Sequence, residues 1–112
     1  MKKYFAFLIL IALPLALRAD PPKKITVSFN NETQKLKIVT NHPVKNVEDH
    51  FIDLISITVD EKEVKVIKPK KQNALASETS EVAVPEIKKG SKVTVKARCN
   101  KFGSKSKSIV ID

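Results

Sequence analysis

The segment Lys92–Cys99, KVTVKARC, alternates apolar and polar residues without a break. Successive side chains of a β-strand point to opposite faces, so Val93, Val95, Ala97 and Cys99 share one face. An α-helix would instead scatter these residues around its circumference. The segment therefore predicts a strand in the interior of a sheet, with one face buried and Cys99 at its end.

Six further short segments have a similar period or are bounded by turn residues. Together with the first segment they predict seven strands, at 25–29, 36–38, 51–59, 64–66, 81–84, 92–99 and 108–111. The apolar phase slips near Asp53, which predicts a β-bulge there. Residues 69–80 have no period and are expected to form a loop that crosses between two sheets. Seven short strands and no amphipathic helix predict an all-β fold, a seven-stranded immunoglobulin-like antiparallel β-sandwich.

The beginning of the chain has a different pattern. Lys2 and Lys3 precede an uncharged apolar run at 4–17, and a plausible cleavage site ends at Ala19. This order is typical of a secretory signal peptide. The run is shorter than the roughly 20 residues that span a bilayer, and Pro14 interrupts it. Residues up to Ala19 are therefore expected to be a cleaved leader.

The predicted domain, residues 20–112, would be periplasmic or secreted, with no membrane span of its own. The whole chain has a formal net charge of +9, and the domain stays basic without the leader. Most of its lysines alternate with apolar residues, as on a solvated strand face, and few aromatic residues remain to stack on bases. Nucleic-acid binding is therefore not expected.

Few side chains in this sequence can carry chemistry. His42 and His50 are its only histidines, and Cys99 is its only cysteine. A single cysteine cannot form an internal disulfide, so in an oxidising compartment it is buried, paired with another chain or bound to a metal. Two glycines leave no phosphate-binding loop. A blue-copper site would need a histidine soon after Cys99, and none follows.

Two motifs surround these three residues. His42-Pro43 is followed by the stretch DHFIDLI at 49–55, and ARCNKFG occupies 97–103. In order and spacing they resemble the superoxide reductases and the iron-binding domain of desulfoferrodoxin. That family has His-Pro, then His-aromatic-Ile, and later Cys-Asn-x-His-Gly, on a seven-stranded immunoglobulin-like sandwich. The resemblance covers most of the predicted domain.

The resemblance implies a ferrous iron (Fe2+) site with four imidazoles around the metal and an axial thiolate that donates electron density to it. The open position would take superoxide, which receives one electron and becomes peroxide. Carried over residue by residue, His42, His50 and Cys99 are the implied metal ligands. Superoxide and an electron-donor protein are the implied partners.

The sequence departs from the family pattern at two ligands. Phe102 stands where the family has the histidine of Cys-Asn-x-His, and residues 20–41 contain no histidine. The interval from His42 to His50 is also two residues longer than is usual in the family. We therefore expect a divergent, vestigial site that binds iron or zinc weakly and has little reductase activity. Phe102 is expected to pack over Cys99 in place of the missing imidazole.

A second hypothesis is a metal-free secreted carrier or protein-interaction module with a protein partner. Residues 50–52, HFI, and 90–95, GSKVTV, resemble the SoxZ carrier subunits of sulfur oxidation, which also have an immunoglobulin-like sandwich. The SoxZ-like pattern does not require Cys99, whereas Cys-Asn-x-x-Gly belongs to the reductase family. The sequence therefore favours the reductase-like hypothesis, and whether the protein is an enzyme stays open.

Overall fold

The computed structural model of the chain describes residues 21–112, so the predicted leader, 1–19, lies outside the described residues. Seven β-strands are present in this part. They are β1 (Lys24–Asn30), β2 (Lys35–Asn41), β3 (Ile52–Val59), β4 (Lys62–Ile67), β5 (Ser77–Ala83), β6 (Lys92–Cys99) and β7 (Ser104–Val110).

The strands form two antiparallel sheets with the orders β1-β2-β5 and β4-β3-β6-β7. The β4–β5 connection therefore crosses from one sheet to the other, as the sequence predicts. Between residues 21 and 112 no helix is long and apolar enough to cross a membrane. The all-β sandwich expected from the sequence is confirmed.

The core lies between the two sheets. β6 pairs with β3 on one side and β7 on the other, and its inner residues Val93, Val95 and Ala97 are fully buried. Leu36 and Ile38 of β2 cover them from the opposite sheet and are also fully buried. The inner face predicted for β6 is confirmed, and both sheets depend on it.

The pairing of β3 with β6 shifts register between Ile52 and Leu54. Asp53 is the extra residue of this bulge, which is where the slip in apolar phase predicts one. Its carboxylate accepts two hydrogen bonds from Arg98 of β6, at 2.9 Å from Nε and 3.2 Å from Nη2. The bulge thus turns Asp53 toward the cation on the neighbouring strand.

Three predicted boundaries are wrong by three residues or more. β2 continues to Asn41 instead of ending at residue 38, β5 begins at Ser77, inside the predicted loop at 69–80, and β7 begins at Ser104 instead of residue 108. β5 and β7 lie at sheet edges, and residues 104–108 are exposed on both faces. The exposed half of β7 therefore has no apolar period, and in β5 the inward positions Glu78 and Ser80 are polar.

The connections between strands gather at the two ends of the sandwich. We call the end formed by 21–23, 42–51, 68–76 and 100–103 the site end, and the end formed by 31–34, 60–61, 84–91 and 111–112 the far end. At the site end the loops are longer, and they carry all three residues that the sequence singles out or lie next to them.

Candidate metal centre

Two separate parts of the chain bring His42, His50 and Cys99 together at the site end. His42 and His50 lie near the two ends of the β2–β3 loop, and Cys99 ends β6. One ligand atom from each lies within 4.8 Å of the others. The Nε2 of His50 is 3.2 Å from the Sγ of Cys99, and the two imidazole rings meet edge to face, with centroids 4.9 Å apart. The convergence expected from the sequence is present.

These distances come close to those of a shared metal ion. Zinc binds imidazole at about 2.0–2.1 Å and thiolate at about 2.3 Å, so at a tetrahedral angle an imidazole nitrogen and a thiolate sulfur on one ion lie about 3.6 Å apart. A group spanning 4.8 Å therefore needs to close by about 1 Å to bind an ion. Two imidazoles and one thiolate form a donor set used for zinc, copper and iron. Three protein ligands also leave coordination positions open.

Cys99 is 2% exposed, which keeps its sulfur from reaching a cysteine of another chain without local opening. The backbone N–H of Lys101 points at Sγ from 3.3 Å. The backbone N–H of Cys99 donates to the carbonyl of Gly103 at 2.9 Å. The loop after β6 therefore folds back around the sulfur.

Asn100, the residue after Cys99, fastens the His50 loop to the end of β6. Its Oδ1 accepts the backbone N–H of Phe51 at 2.9 Å, and its Nδ2 donates to the carbonyl of Asp49 at 3.1 Å. The backbone N–H of Asn100 also donates to the carbonyl of Phe51. The asparagine of the Cys-Asn motif thus sets the distance between the imidazole and the thiolate.

His42 is 1% exposed, and its backbone N–H donates to the carbonyl of Ala76 at 3.0 Å. Its ring Nδ1 lies 2.8 Å from the Oε1 of Gln72, which is also 1% exposed. Gln72 was not among the residues predicted from the sequence, because a single glutamine after a run of lysines carries no periodic or motif signal. Only the fold places it beside a histidine thirty positions earlier.

Phe102 does not pack over Cys99 as expected. Its side chain is 56% exposed, so it does not fill the place of an imidazole with buried apolar surface. An open cavity of about 520 Å³ lies beside Cys99, and Phe102, Arg98 and Lys101 contribute to its lining. The backbone turns at Gly103, where φ is 106°, and the ring remains at the surface.

Comparison with known proteins gives a fold but no family. No protein-family model matches the sequence, and no curated protein matches it. Among solved structures, a crystal structure of superoxide reductase in the oxidised state is similar, with a TM-score of 0.55 and 15% sequence identity. The match covers 79% of this chain and 86% of that chain. At this identity the likeness shows that the two proteins share a fold.

Proposed function

We propose that this chain is an exported metal-binding domain with the superoxide reductase fold, and that His42, His50 and Cys99 hold ferrous iron weakly. The observation that carries the proposal is the convergence of these three side chains within 4.8 Å at one end of that fold. The leader-like residues 1–19 support export to a periplasm or to the cell exterior.

Ferrous iron bound here would supply one electron to a small anion such as superoxide. The chain's own contribution is to hold the ion through two imidazoles and a thiolate, and to place the N–H of Lys101 against the sulfur. Three protein ligands bind a metal less tightly than the five of the reductase family, and Phe102 adds none. We therefore expect weak binding and slow superoxide reduction.

Removing the thiolate tests the site directly. Cys99→Ser should weaken binding of Fe2+ and Zn2+ by more than about tenfold, as loss of a ligand should cost at least what loss of its outer partner costs. The measurement is a calorimetric titration with each metal under anaerobic conditions. Ala97→Ser is the matched control, because it also places a hydroxyl on the buried face of β6 without removing a ligand. Equal affinities for Cys99→Ser and the unsubstituted protein would refute the proposed site.

Adding an imidazole tests the site in the opposite direction. Phe102→His restores the residue type that the family has at this place, beside the cavity next to Cys99, and should tighten Fe2+ binding by roughly tenfold. Leu75→His is the control, since Leu75 is also exposed at the site end but does not line that cavity. If both variants bind equally, Phe102 does not occupy a lost ligand position.

Activity and export need separate measurements. Iron-loaded protein should consume superoxide slowly, and a rate limited by diffusion would contradict a vestigial site.

Protein recovered from its native host should begin at Asp20 when its N-terminal sequence is read, and retention of Met1 would contradict export by a cleaved leader.

A further inference from the structure

Gln72 is a buried amide in an otherwise exposed stretch of the β4–β5 loop. Its side chain is 1% exposed, whereas Lys70 and Lys71 before it are both exposed. An unpaired buried polar group destabilises the folded chain, so such a side chain needs partners. The backbone N–H of Gln72 donates to the carbonyl of Val47 at 3.0 Å, which ties the loop to the segment that carries His50.

The side-chain amide of Gln72 has one orientation that satisfies its neighbours. Its Nε2 donates to the carbonyl of His42 at 2.7 Å and to the carbonyl of Ala74 at 3.0 Å. The flipped amide would place Oε1 against both carbonyl oxygens, and none of the three atoms could donate. Oε1 therefore faces the imidazole, 2.8 Å from Nδ1 of His42.

An amide oxygen can only accept a hydrogen bond, so Nδ1 of His42 must carry the proton. A neutral imidazole protonated at Nδ1 has its lone pair on Nε2. We infer that Gln72 is a positioning residue that holds His42 in the Nδ1–H tautomer, so that Nε2 is the atom that binds the metal. The tautomer is a property of the metal-free chain, whereas its effect on affinity rests on the proposed function.

A histidine that binds a metal commonly donates its other N–H to a carbonyl or carboxylate, and loss of that partner weakens binding by about 10–100-fold. Gln72 acts on both sides of the site, because the same residue orients the ring of His42 and hydrogen-bonds to the loop of His50 through Val47. It touches no metal position itself.

Three variants distinguish an effect on the orientation of the His42 ring from an effect on the order of the β4–β5 loop. Gln72→Met keeps the length of the side chain but removes both the acceptor and the donors. Gln72→Glu keeps an acceptor for Nδ1–H but replaces the donors by a carboxylate oxygen that faces the carbonyls of His42 and Ala74, so it should lower the melting temperature and retain the proton on Nδ1. Asn73→Ala is the control, because Asn73 bonds to Glu78 and Thr79 in the same region and makes no bond to His42.

The tautomer is measured on metal-free, 15N-labelled protein by two-bond imidazole NMR spectra at a pH where the ring is neutral. We expect the Nδ1–H form in the unsubstituted protein, in Gln72→Glu and in Asn73→Ala, and an increased Nε2–H fraction in Gln72→Met. Zn2+ and anaerobic Fe2+ titrations should show affinity reduced by about 10–100-fold in Gln72→Met and unchanged in Asn73→Ala.

An Nε2–H ring in the unsubstituted protein would overturn the inference, as would a loss of affinity in Asn73→Ala equal to that in Gln72→Met. If Gln72→Met does not fold, the unsubstituted spectrum and Gln72→Glu decide, because retention of Nδ1–H in both supports the inference and its loss in Gln72→Glu refutes it. An Nδ1–H ring in a chain that binds neither metal would support the role of Gln72 and contradict the proposed function.

Discussion

The two ends of the sandwich are built differently. At the far end, β3 and β4 are joined by two residues, Asp60 and Glu61, with φ of 48° and 73°, the left-handed conformation of a tight hairpin turn. The long-range hydrogen bonds of that end run mostly between backbone groups, as from Gly90 to Ile111. At the site end, side chains fasten longer loops to each other, chiefly those of Gln72 and Asn100. Long-range hydrogen bonds from side chains define that end.

The two ends also differ in charge. The site-end segments contain six lysines and two carboxylates, whereas the far-end segments contain two lysines and five carboxylates. The electrostatic potential therefore attracts small anions toward the end that holds His42, His50 and Cys99. The comparison shows that the end with buried polar contacts is also the end with the charge to attract an anionic ligand.

The largest expected effect comes from the core that both ends share. Val95→Asp buries an unpaired charge at a position that is fully buried, at a cost comparable with the whole stability of a small domain, about 5–15 kcal/mol. Both ends should unfold together in circular dichroism. Lys96→Asp, on the exposed face of the same strand, should cost less than about 1 kcal/mol. An unchanged melting temperature for Val95→Asp would contradict the shared core.

Metal binding should increase the local stability of the site end more than that of the far end. At a free Zn2+ concentration 100 times the dissociation constant, binding adds about 2.7 kcal/mol to the folded state. Amides that exchange by local opening of the site, such as those of His42 and Gln72, should exchange more slowly, by up to about 100-fold. Far-end amides such as Gln34 and Gly90, which also donate to backbone carbonyls, should change little. Hydrogen exchange detected by NMR measures the amides of both ends. Equal slowing at the two ends would contradict a metal site confined to the site end.

A far-end substitution should change stability without changing the site. Glu61→Gly relieves a left-handed backbone conformation and should raise the free energy of unfolding by roughly 0.5–1 kcal/mol. Glu63→Gly, in β4, should lower it by a similar amount because glycine weakens a strand. Urea unfolding measures both changes. Altered metal affinity in Glu61→Gly would show that the ends are coupled.

The smallest expected effect is a pH dependence at Glu78, at the start of β5. Burial raises the pKa of this carboxyl above its ordinary value of 4.5, against opposing hydrogen bonds from Asn73 and Ser80. The folded state therefore holds the proton more tightly, and stability falls as pH rises from below 4.5 through the raised pKa. Glu78→Gln should lack this decline. Urea unfolding of both proteins across that range measures it, and parallel curves would contradict the assignment.

The sequence predicted the parts of the fold that a two-residue period encodes. It predicted the buried face of β6 and the bulge at Asp53, because both follow from which residues of one strand are apolar. The first half of β7 was missed because its residues are exposed on both faces. His42, His50 and Cys99 were found through motifs that resemble those of a known family.

The sequence did not predict the contacts that complete the site. The hydrogen bonds between Gln72 and His42 join the β4–β5 loop to the β2–β3 loop. The pattern of residues along one strand carries no information about such a partner. The outward position of Phe102 depends on backbone angles in a short loop, including the φ of 106° at Gly103. These features require the packed chain.

The contact between Gly103 and Pro21 has a practical consequence. A Cβ at Gly103 would lie 2.9 Å from the backbone nitrogen of Pro21, so the start of the described chain runs directly beside the loop that folds around Cys99. Asp112 lies at the opposite end of the molecule. A fluorescent reporter or affinity tag fused after Asp112 would leave the entrance to the sulfur clear, whereas one joined at Pro21 would stand next to it.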